Sequence, residues 1–346
     1  MSKSEFTLVT RLDQQDEQEI KKKKILETKL LRKLDLRLLP ILMLCYILSF
    51  LDRSNIAQAR IANASTNHHL AASLKLNDFE VMFSISIFFV GYIAFEVPSN
   101  LMIKRFTPSR WISRIMVTWG ITCVALGFIQ NYAGLLICRL LLGIFESGFV
   151  PGVIFFLTFW YKKSEISVRI GWFFTSLTVA GIIGSLCAYG ITANMNMVLN
   201  FEGWRWIFIL EGVPSIIVGI FLWFYLPDYP ETSKFLTIPE RELLIERLKI
   251  DAANNLKDPH FDKVSFFLVL KDPTTYMYSV AYFCLACPMY SFNFTFPTIL
   301  FQLGFSDLMA QLLSTPPFFM ALVAILVVSY LSDKYQNRVL PLLLVA

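Results

Sequence analysis

The sequence contains little charge and little histidine. Only 16% of its 346 residues are Asp, Glu, Lys or Arg, and three are His. Soluble proteins carry about 25% charged residues, so the composition excludes an ordinary soluble protein. The hydrophobic share is 55%, above the roughly 45–50% that is usual, and apolar stretches recur along the whole length. The composition therefore predicts an all-α polytopic membrane protein.

The sequence also lacks the residue clusters of a metal site or an enzyme. All six cysteines fall inside apolar segments, and Cys284-x-x-Cys287 has no second pair and no nearby histidine. This pattern indicates small packing residues rather than metal ligands. No nucleophile and base occur together in the apolar segments, and charges of both signs are mixed there. We therefore predict neither an enzyme nor a channel, and we expect no cofactor and no metal ion.

Eight apolar segments are long enough to cross a membrane, since about 20 apolar residues span the ~30 Å hydrocarbon layer as a helix. Six of them precede a polar stretch and two follow it. We predict a cytosolic basic tail at 1–35, which lies as an amphipathic helix on the inner leaflet. The tail is followed by a six-helix half at 36–226, a cytosolic linker at 227–272 and a partial second half at 273–346. The predicted spans are 36–57, 79–103, 111–130, 134–161, 171–191, 204–226, 274–300 and 308–331.

Lysine and arginine are distributed unevenly between the two sides of these spans. Of the 31 basic residues, 26 fall on one side, in the tail, the linker, the turns and the adjoining span ends that carry Arg37 and Arg114, and only Arg60, Lys75 and Arg205 fall on the other. The positive-inside rule then predicts a cytosolic N-terminus and linker. The same distribution accounts for the net charge of +5 without a nucleic acid partner. The pattern Asn63-Ala64-Ser65 would lie outside and could accept a glycan.

Intramembrane charges in two of the spans are the strongest candidates for a functional site. The first holds Asp52 and Arg53, and the fourth holds Arg139 and Glu146. Each such charge costs roughly 2.5–3.5 kcal/mol on insertion scales, which indicates a functional site. Arg139 and Glu146 are seven residues apart, on one helix face but about 10 Å apart along the axis, so each needs a partner from elsewhere. The alternative is a structural ion pair that holds two helices together.

Short motifs along the chain carry a family resemblance. The motifs are Lys33-Leu34-Asp35, Leu51 to Asn55, Phe95 to Asn100 with Lys104-Arg105-Phe106, Arg139-x-x-x-Gly143-x-x-Glu146 with Pro151-Gly152, and Leu226-Pro227-Asp228-x-Pro230. Together they extend from about residue 31 to 338 and resemble the major facilitator superfamily, in particular its fungal anion:cation symporters of the allantoate permease type.

A weak internal repeat is part of this resemblance. The basic turn after the second span, with Lys104 and Arg105, has a counterpart after the eighth span with Asp333, Lys334 and Arg338. Two halves that each carry such a turn are typical of large transporters with parallel repeats. The resemblance implies that these residues, together with Gly143 and Pro151, serve conformational or structural motifs.

The resemblance also implies a fold and a function. It implies a major facilitator-type helical bundle with a complete six-helix N-terminal half and a partial C-terminal half, and we expect the chain to end within the ninth of twelve spans. It implies proton-coupled symport of a small organic anion, a carboxylate or vitamin-like molecule, by alternating access, with the lipid bilayer of the plasma membrane as surroundings. The alternative is a C-terminally truncated remnant that does not transport. The sequence does not indicate an oligomeric state.

The site residues follow from the matching motifs. In relatives, an Asp-Arg pair of the first helix and an Arg…Glu pair of the fourth line the central cavity and couple protons to the anion, which assigns these roles to Asp52, Arg53, Arg139 and Glu146. The predicted depths favour cross-pairing of Asp52 with Arg139 and of Arg53 with Glu146. Four weaker candidates and one undecided residue complete the set: Tyr92 and Glu96 for substrate or gating, Tyr290 and Asn293 for substrate, and Glu211 for either the cavity or a helix cap.

Overall fold

The structure is a computed structural model, which describes residues 3–253, 268 and 271–335. The described residues form α-helices and two short 3-10 helices, Ala64–Thr66 and Pro230–Thr232, without a β-strand. The predicted all-α architecture is therefore confirmed. The helices are α1 (Lys3–Ile61), α2 (Leu70–Ser73), α3 (Asp78–Arg105), α4 (Pro108–Leu126), α5 (Tyr132–Glu146), α6 (Phe149–Leu157), α7 (Lys163–Asn194), α8 (Gly203–Tyr225), α9 (Ile238–Ala253), α10 (Pro273–Gln302), α11 (Asp307–Leu313) and α12 (Thr315–Tyr335).

Seven helical stretches in the described part of the chain are long and apolar enough to cross a membrane. The third predicted span is not one of them. It corresponds to α4, a 19-residue helix that carries Arg110 and Arg114. Most residues of α4 are buried, and it packs along α8. Its sequence is less apolar because neighbouring helices, rather than lipid, cover much of its surface.

Helix α1 runs without a break from the predicted tail into the first predicted span. Leu30, Leu34 and Leu38 recur every four residues, share one face and are at most 1% exposed. On the same segment, Lys33 Nζ lies 2.6 Å from Glu240 Oε2 of α9. Partial burial raises the pKa of Glu240, but the hydrogen bonds from Lys33 and Thr237 and the charge of Lys33 together outweigh it, so that pKa lies below its ordinary value. The leucine face is thus covered by protein, whereas we had predicted a helix lying on the membrane.

The linker helix α9 is attached to the membrane helices by buried charge. Thr237 precedes it, and its backbone N–H donates to Glu240 Oε2 over 2.9 Å, as the capping-box pattern predicts. Arg247 is only 3% exposed. Its Nη2 lies 2.5 Å from Glu165 Oε1 on α7, and its Nε lies 3.6 Å from Glu27 Oε2 on α1. We call the end of the bundle that carries α9 the linker end.

The breaks within the long apolar segments do not all fall at prolines. The fourth predicted span divides at Ser147-Gly148, between α5 and α6. Helix α10, by contrast, continues through both Pro288 and Pro297. Neighbouring helices allow prolines inside membrane helices in this way. Pro316-Pro317 stands in the first turn of α12, just after the break from α11, where proline is well tolerated.

Close contact between α3 and α5 depends on Gly143. A Cβ added at Gly143 would lie 2.0 Å from the Phe88 carbonyl oxygen, so only glycine allows this approach. Gly143 stands one turn before Glu146, and the Phe88 ring centroid lies 5.3 Å from Arg53 Cζ. The contact therefore also fixes the surroundings of two of the predicted site residues.

We expect Gly143→Ala to push α3 and α5 apart and to destabilise the protein by about 1–3 kcal/mol, the usual cost of overpacking. Gly190→Ala is the matched control, because a Cβ added at Gly190 meets nothing within 4 Å. Thermal unfolding of both purified variants in detergent measures the difference. Equal melting temperatures for the two variants would contradict the close packing of α3 on α5.

Candidate functional site

The four predicted intramembrane charges are buried side chains of α1 and α5. Asp52, Arg53, Arg139 and Glu146 are exposed by 1%, 6%, 1% and 2% respectively. We call these four residues the charge cluster. Charges buried this deeply require partners, because removing them from water costs far more than an exposed pair returns. The identity of each partner therefore determines what the cluster can do.

Arg53 and Glu146 form a direct ion pair across the two helices. Arg53 Nη2 and Nε donate to Glu146 Oε1 over 2.8 Å and 3.2 Å. The Ser49 hydroxyl, one turn earlier on α1, donates to the same oxygen over 2.5 Å. The other oxygen, Glu146 Oε2, is buried and has no hydrogen-bond partner. The geometry agrees with the cross-pairing that the sequence predicts for these two residues, and it leaves one carboxylate oxygen available.

Arg53 also makes contacts away from Glu146. Its Nη1 donates to the Tyr290 hydroxyl on α10 over 3.2 Å. Its Cζ lies 5.1 Å from the Tyr92 ring centroid, within the range of a cation–π contact. Tyr92 thus contacts the charge cluster. Glu96, one turn further along α3, forms no hydrogen bond or ion pair among the residues that the structure describes, and it is only partly buried.

Asp52 does not form the predicted pair with Arg139. Among the described residues, its carboxylate accepts hydrogen bonds only from uncharged donors: Trp119 Nε1 at 3.0 Å, Cys123 Sγ at 3.1 Å and Ser215 Oγ at 2.6 Å. The reason is helix geometry. Consecutive residues point about 100° apart around a helix, so Asp52 faces α4 and α8 while Arg53 faces α5.

Arg139 has incomplete hydrogen bonding as a result. Its Nη1 donates weakly to the Arg53 backbone carbonyl over 3.4 Å, and its Nε and Nη2 are buried without partners. Its Cζ lies 5.8 Å from the Phe208 ring centroid on α8. Arg139 is thus a buried cation that holds no carboxylate in this conformation.

The sequence analysis missed several of these partners. Ser49 could have been found, because it stands one turn before Arg53 on the same face. Trp119 and Cys123 also stand one turn apart, but Cys123 was interpreted only as a packing residue. Ser215 is 163 positions from Asp52, and no local pattern connects the two.

Among the described residues of the predicted structural motifs, only Gly143 stands within one helical turn of a charge-cluster residue. Pro151 is in α6, and Lys104 and Arg105 end α3. The Arg105 side chain is exposed. Asp333 and Lys334 stand in the last turn of α12, where the structure describes the backbone alone, and Arg338 lies outside the described residues.

Asn63 is poorly placed for glycosylation. It is 8% exposed, and its Nδ2 donates to the Thr192 carbonyl oxygen over 3.2 Å. The backbone at Asn63 turns in a left-handed conformation before the Ala64–Thr66 helix. A glycan would need the amide nitrogen that this hydrogen bond uses, so the geometry argues against the predicted modification.

A cavity of about 760 Å³ lies between α1, α7, α10 and α12. None of the described residues that line it is charged. The charge cluster was expected to line the central cavity, but it does not line this one. Tyr290 stands between the two, because it lines the cavity while its hydroxyl contacts Arg53 of the charge cluster. The aromatic and polar lining residues include Tyr46, Phe50, Phe174, Thr178, Phe292, Asn293 and Phe318.

In the described part of the chain, no three His, Cys, Asp or Glu side chains group to hold a metal ion.

Comparison with known proteins shows which family has this arrangement. The family model described as Major Facilitator Superfamily matches residues 42–346. The chain belongs to the Major Facilitator Superfamily. This superfamily consists of multi-pass membrane transporters and not of enzymes. The predictions of a polytopic membrane protein and of a protein that is not an enzyme are therefore confirmed.

The relatives and solved structures agree with this membership. The chain is 38% identical over 309 residues to "MFS transporter prlL" of Fungal sp. (strain NRRL 50135), covering 89% of this chain and 62% of that protein. It is 34% identical over 315 residues to a "Putative tartrate transporter" of Agrobacterium vitis, covering 90% and 70%. A bacterial homolog of the human lysosomal transporter Spinster superposes with a TM-score of 0.62 at 20% identity, covering 86% and 62%. The chain thus spans less than two thirds of the fungal relative.

We expect Arg53→Lys to destabilise the protein by roughly 1.5–3 kcal/mol, because one ammonium cannot replace three guanidinium nitrogens that contact Glu146 and Tyr290. Arg60→Lys on the same helix is the control. Arg60 pairs with Asp78, whose side chain is 96% exposed, so that pair is worth about 0–1 kcal/mol. Equilibrium unfolding in detergent compares the two. A loss for Arg53→Lys no larger than for Arg60→Lys would contradict the assigned contacts.

Proposed function

We propose that this protein moves a small organic anion together with a proton by alternating access, as a symporter of the allantoate permease type. The observation that supports this most directly is the buried Arg53–Glu146 pair with its unpaired oxygen. A proton can add to Glu146 Oε2 without displacing any of the three donors at Oε1. Protonation removes the negative charge that holds Arg53, and the guanidinium then becomes available to another anion.

The cavity provides the approach to Arg53. The Tyr290 hydroxyl accepts from Arg53 Nη1 and belongs to a residue that lines the cavity. A substrate carboxylate that displaces this hydroxyl reaches the guanidinium, which binds carboxylates in a two-pronged fork. Anion binding and protonation of Glu146 then favour each other. This linkage is the basis of symport in the proposal.

The lining of the cavity supports a substrate with an apolar or aromatic body beside its carboxylate. Tyr46, Phe50, Phe174 and Phe318 present aromatic surface, and Thr178 is one of the few polar groups. Tartrate, which the name of the Agrobacterium relative mentions, is itself a carboxylate. We include small carboxylates, among them vitamin-like ones, as the substrate class.

Alternating access requires contacts between the halves that can break. At the end of the bundle opposite the linker end, the Ser65 hydroxyl donates to Asp307 Oδ2 over 3.0 Å, and Gln311 Nε2 donates to Thr192 Oγ1 over 2.9 Å. Both bonds join the first six-helix region to α11. In the proposal these bonds close the side that is predicted to face outward, and they open when the halves rock.

The orientation and the membrane remain predictions of the proposal. The basic residues favour a cytosolic N-terminus and linker. In the plasma membrane, the side of the protein that carries Asp307 and Gln311 would then face the acidic outer medium. Uptake driven by that proton gradient would run from this side toward the linker end.

We expect Glu146→Gln to abolish uptake driven by a proton gradient while substrate exchange continues, because glutamine cannot gain or lose the coupling proton. The measurement uses the chain in proteoliposomes, a pH gradient and a panel of radiolabelled carboxylates that includes tartrate and nicotinate. Glu231→Gln, an exposed residue of the linker, is the matched control and should transport normally. Continued net uptake by Glu146→Gln under the gradient would show that Glu146 is not the coupling residue.

A further inference from the structure

A third buried carboxyl lies close to the charge cluster, on the opposite side of α1 from Glu146. Glu211 is in the middle of α8 and is 5% exposed. Its position excludes the helix-cap role, and it does not line the cavity. Both of its carboxylate oxygens are buried without a hydrogen-bond partner. Neither the pairing of Arg53 nor the cavity gives Glu211 a role.

Polar or ionisable side chains of three neighbouring helices lie near Glu211. Asp52 and Asn55 face it from α1, and the Asn55 Nδ2 is itself buried and unpaired. Cys123 faces it from α4, and Cys187 lies near it on α7. Ser215, one turn further along α8, donates to Asp52 Oδ2 over 2.6 Å. The two carboxyl groups thus share one buried polar compartment.

Arg139 is the only cation of the charge cluster close to this compartment. It lies near Cys123 and stacks on Phe208, one turn before Glu211. Its Nε and Nη2 have no acceptor. An ionised Glu211 would be a strong acceptor for these nitrogens, because charge-assisted hydrogen bonds are the most favourable ones available in a buried site. No such bond joins these two described residues, as is expected of a neutral Glu211.

Charge balance leads to the same conclusion. The compartment and the charge cluster together hold three carboxyl groups and two guanidinium groups, and one carboxyl must be neutral for the charges to balance. Glu146 has Arg53 as its partner, and Asp52 has three donors. Glu211 has no cation near it, and the donor that faces it, the Asn55 side-chain amide, is uncharged. Burial of a carboxylate without a cation is strongly unfavourable.

We propose that Glu211 is a second proton-binding residue, which holds one proton in this conformation and forms with Asp52 a proton site separate from Glu146. The proton on Glu211 is released when Arg139 turns to bind the resulting carboxylate, so one proton leaves and one ion pair forms. This proposal does not depend on the nature of the substrate or on coupling through Glu146.

Infrared spectroscopy of the purified chain at neutral pH tests the proposal, with dodecyl maltoside as a detergent that has no carbonyl group. We expect a carbonyl band of a protonated carboxylic acid in the unmodified protein. The band should disappear in Glu211→Gln and persist in Asp52→Asn, Glu146→Gln and the surface control Glu202→Gln, whose carboxylate binds Arg205. A band that survives in Glu211→Gln, or one that disappears only in Asp52→Asn, would overturn the proposal.

Thermal unfolding provides a second readout if the spectra of one variant are lost to misfolding. A neutral, unpartnered Glu211 can be replaced by the isosteric Glu211→Gln or the apolar Glu211→Met with no loss in melting temperature. An ionised Glu211 would behave like Glu146, whose replacement leaves Arg53 unpaired. A decrease in melting temperature for both Glu211 variants as large as that for Glu146→Gln would therefore refute the assignment.

Discussion

The ion pair between Arg53 and Glu146 is the interaction on which the remaining geometry depends. A guanidinium and a carboxylate within a membrane helix bundle must be paired, since either one alone is a costly buried charge. Their pairing across 2.8 Å fixes α1 against α5, and Gly143 lets α3 approach closely enough for Phe88 and Tyr92 to cover the guanidinium. The same arginine then contacts Tyr290 of α10. One side chain therefore connects both predicted halves with the cavity between them.

The adjacency of Asp52 and Arg53 gives α1 two different polar faces. One face presents Arg53 to Glu146 and, through Tyr290, to the cavity. The other presents Asp52 to neutral donors of α4 and α8. Arg139 lies between the two faces with spare donors. Movement of α1 would change the surroundings of both faces at once, which is the property that coupled transport requires.

Much of this arrangement could be predicted from the sequence. The length of the apolar segments predicted the helical spans and their number to within one. The cost of intramembrane charge singled out the four buried charges. The partners of Asp52 could not be predicted, because Trp119 and Ser215 are 67 and 163 positions away and depend on how α4 and α8 pack. Likewise, the leucine face of α1 fits a membrane surface and a protein surface equally well. Only the packing of the other helices against α1 decides between them.

A double-mutant cycle on Arg53 and Glu146 tests the central pair most directly. The free energy of unfolding in detergent is measured for Arg53→Gln, for Glu146→Gln and for the double variant. If the two side chains form a buried ion pair, the double variant loses less stability than the sum of the single losses, by about 1–3 kcal/mol. Losses that add to within about 0.5 kcal/mol would contradict the pair and the account built on it.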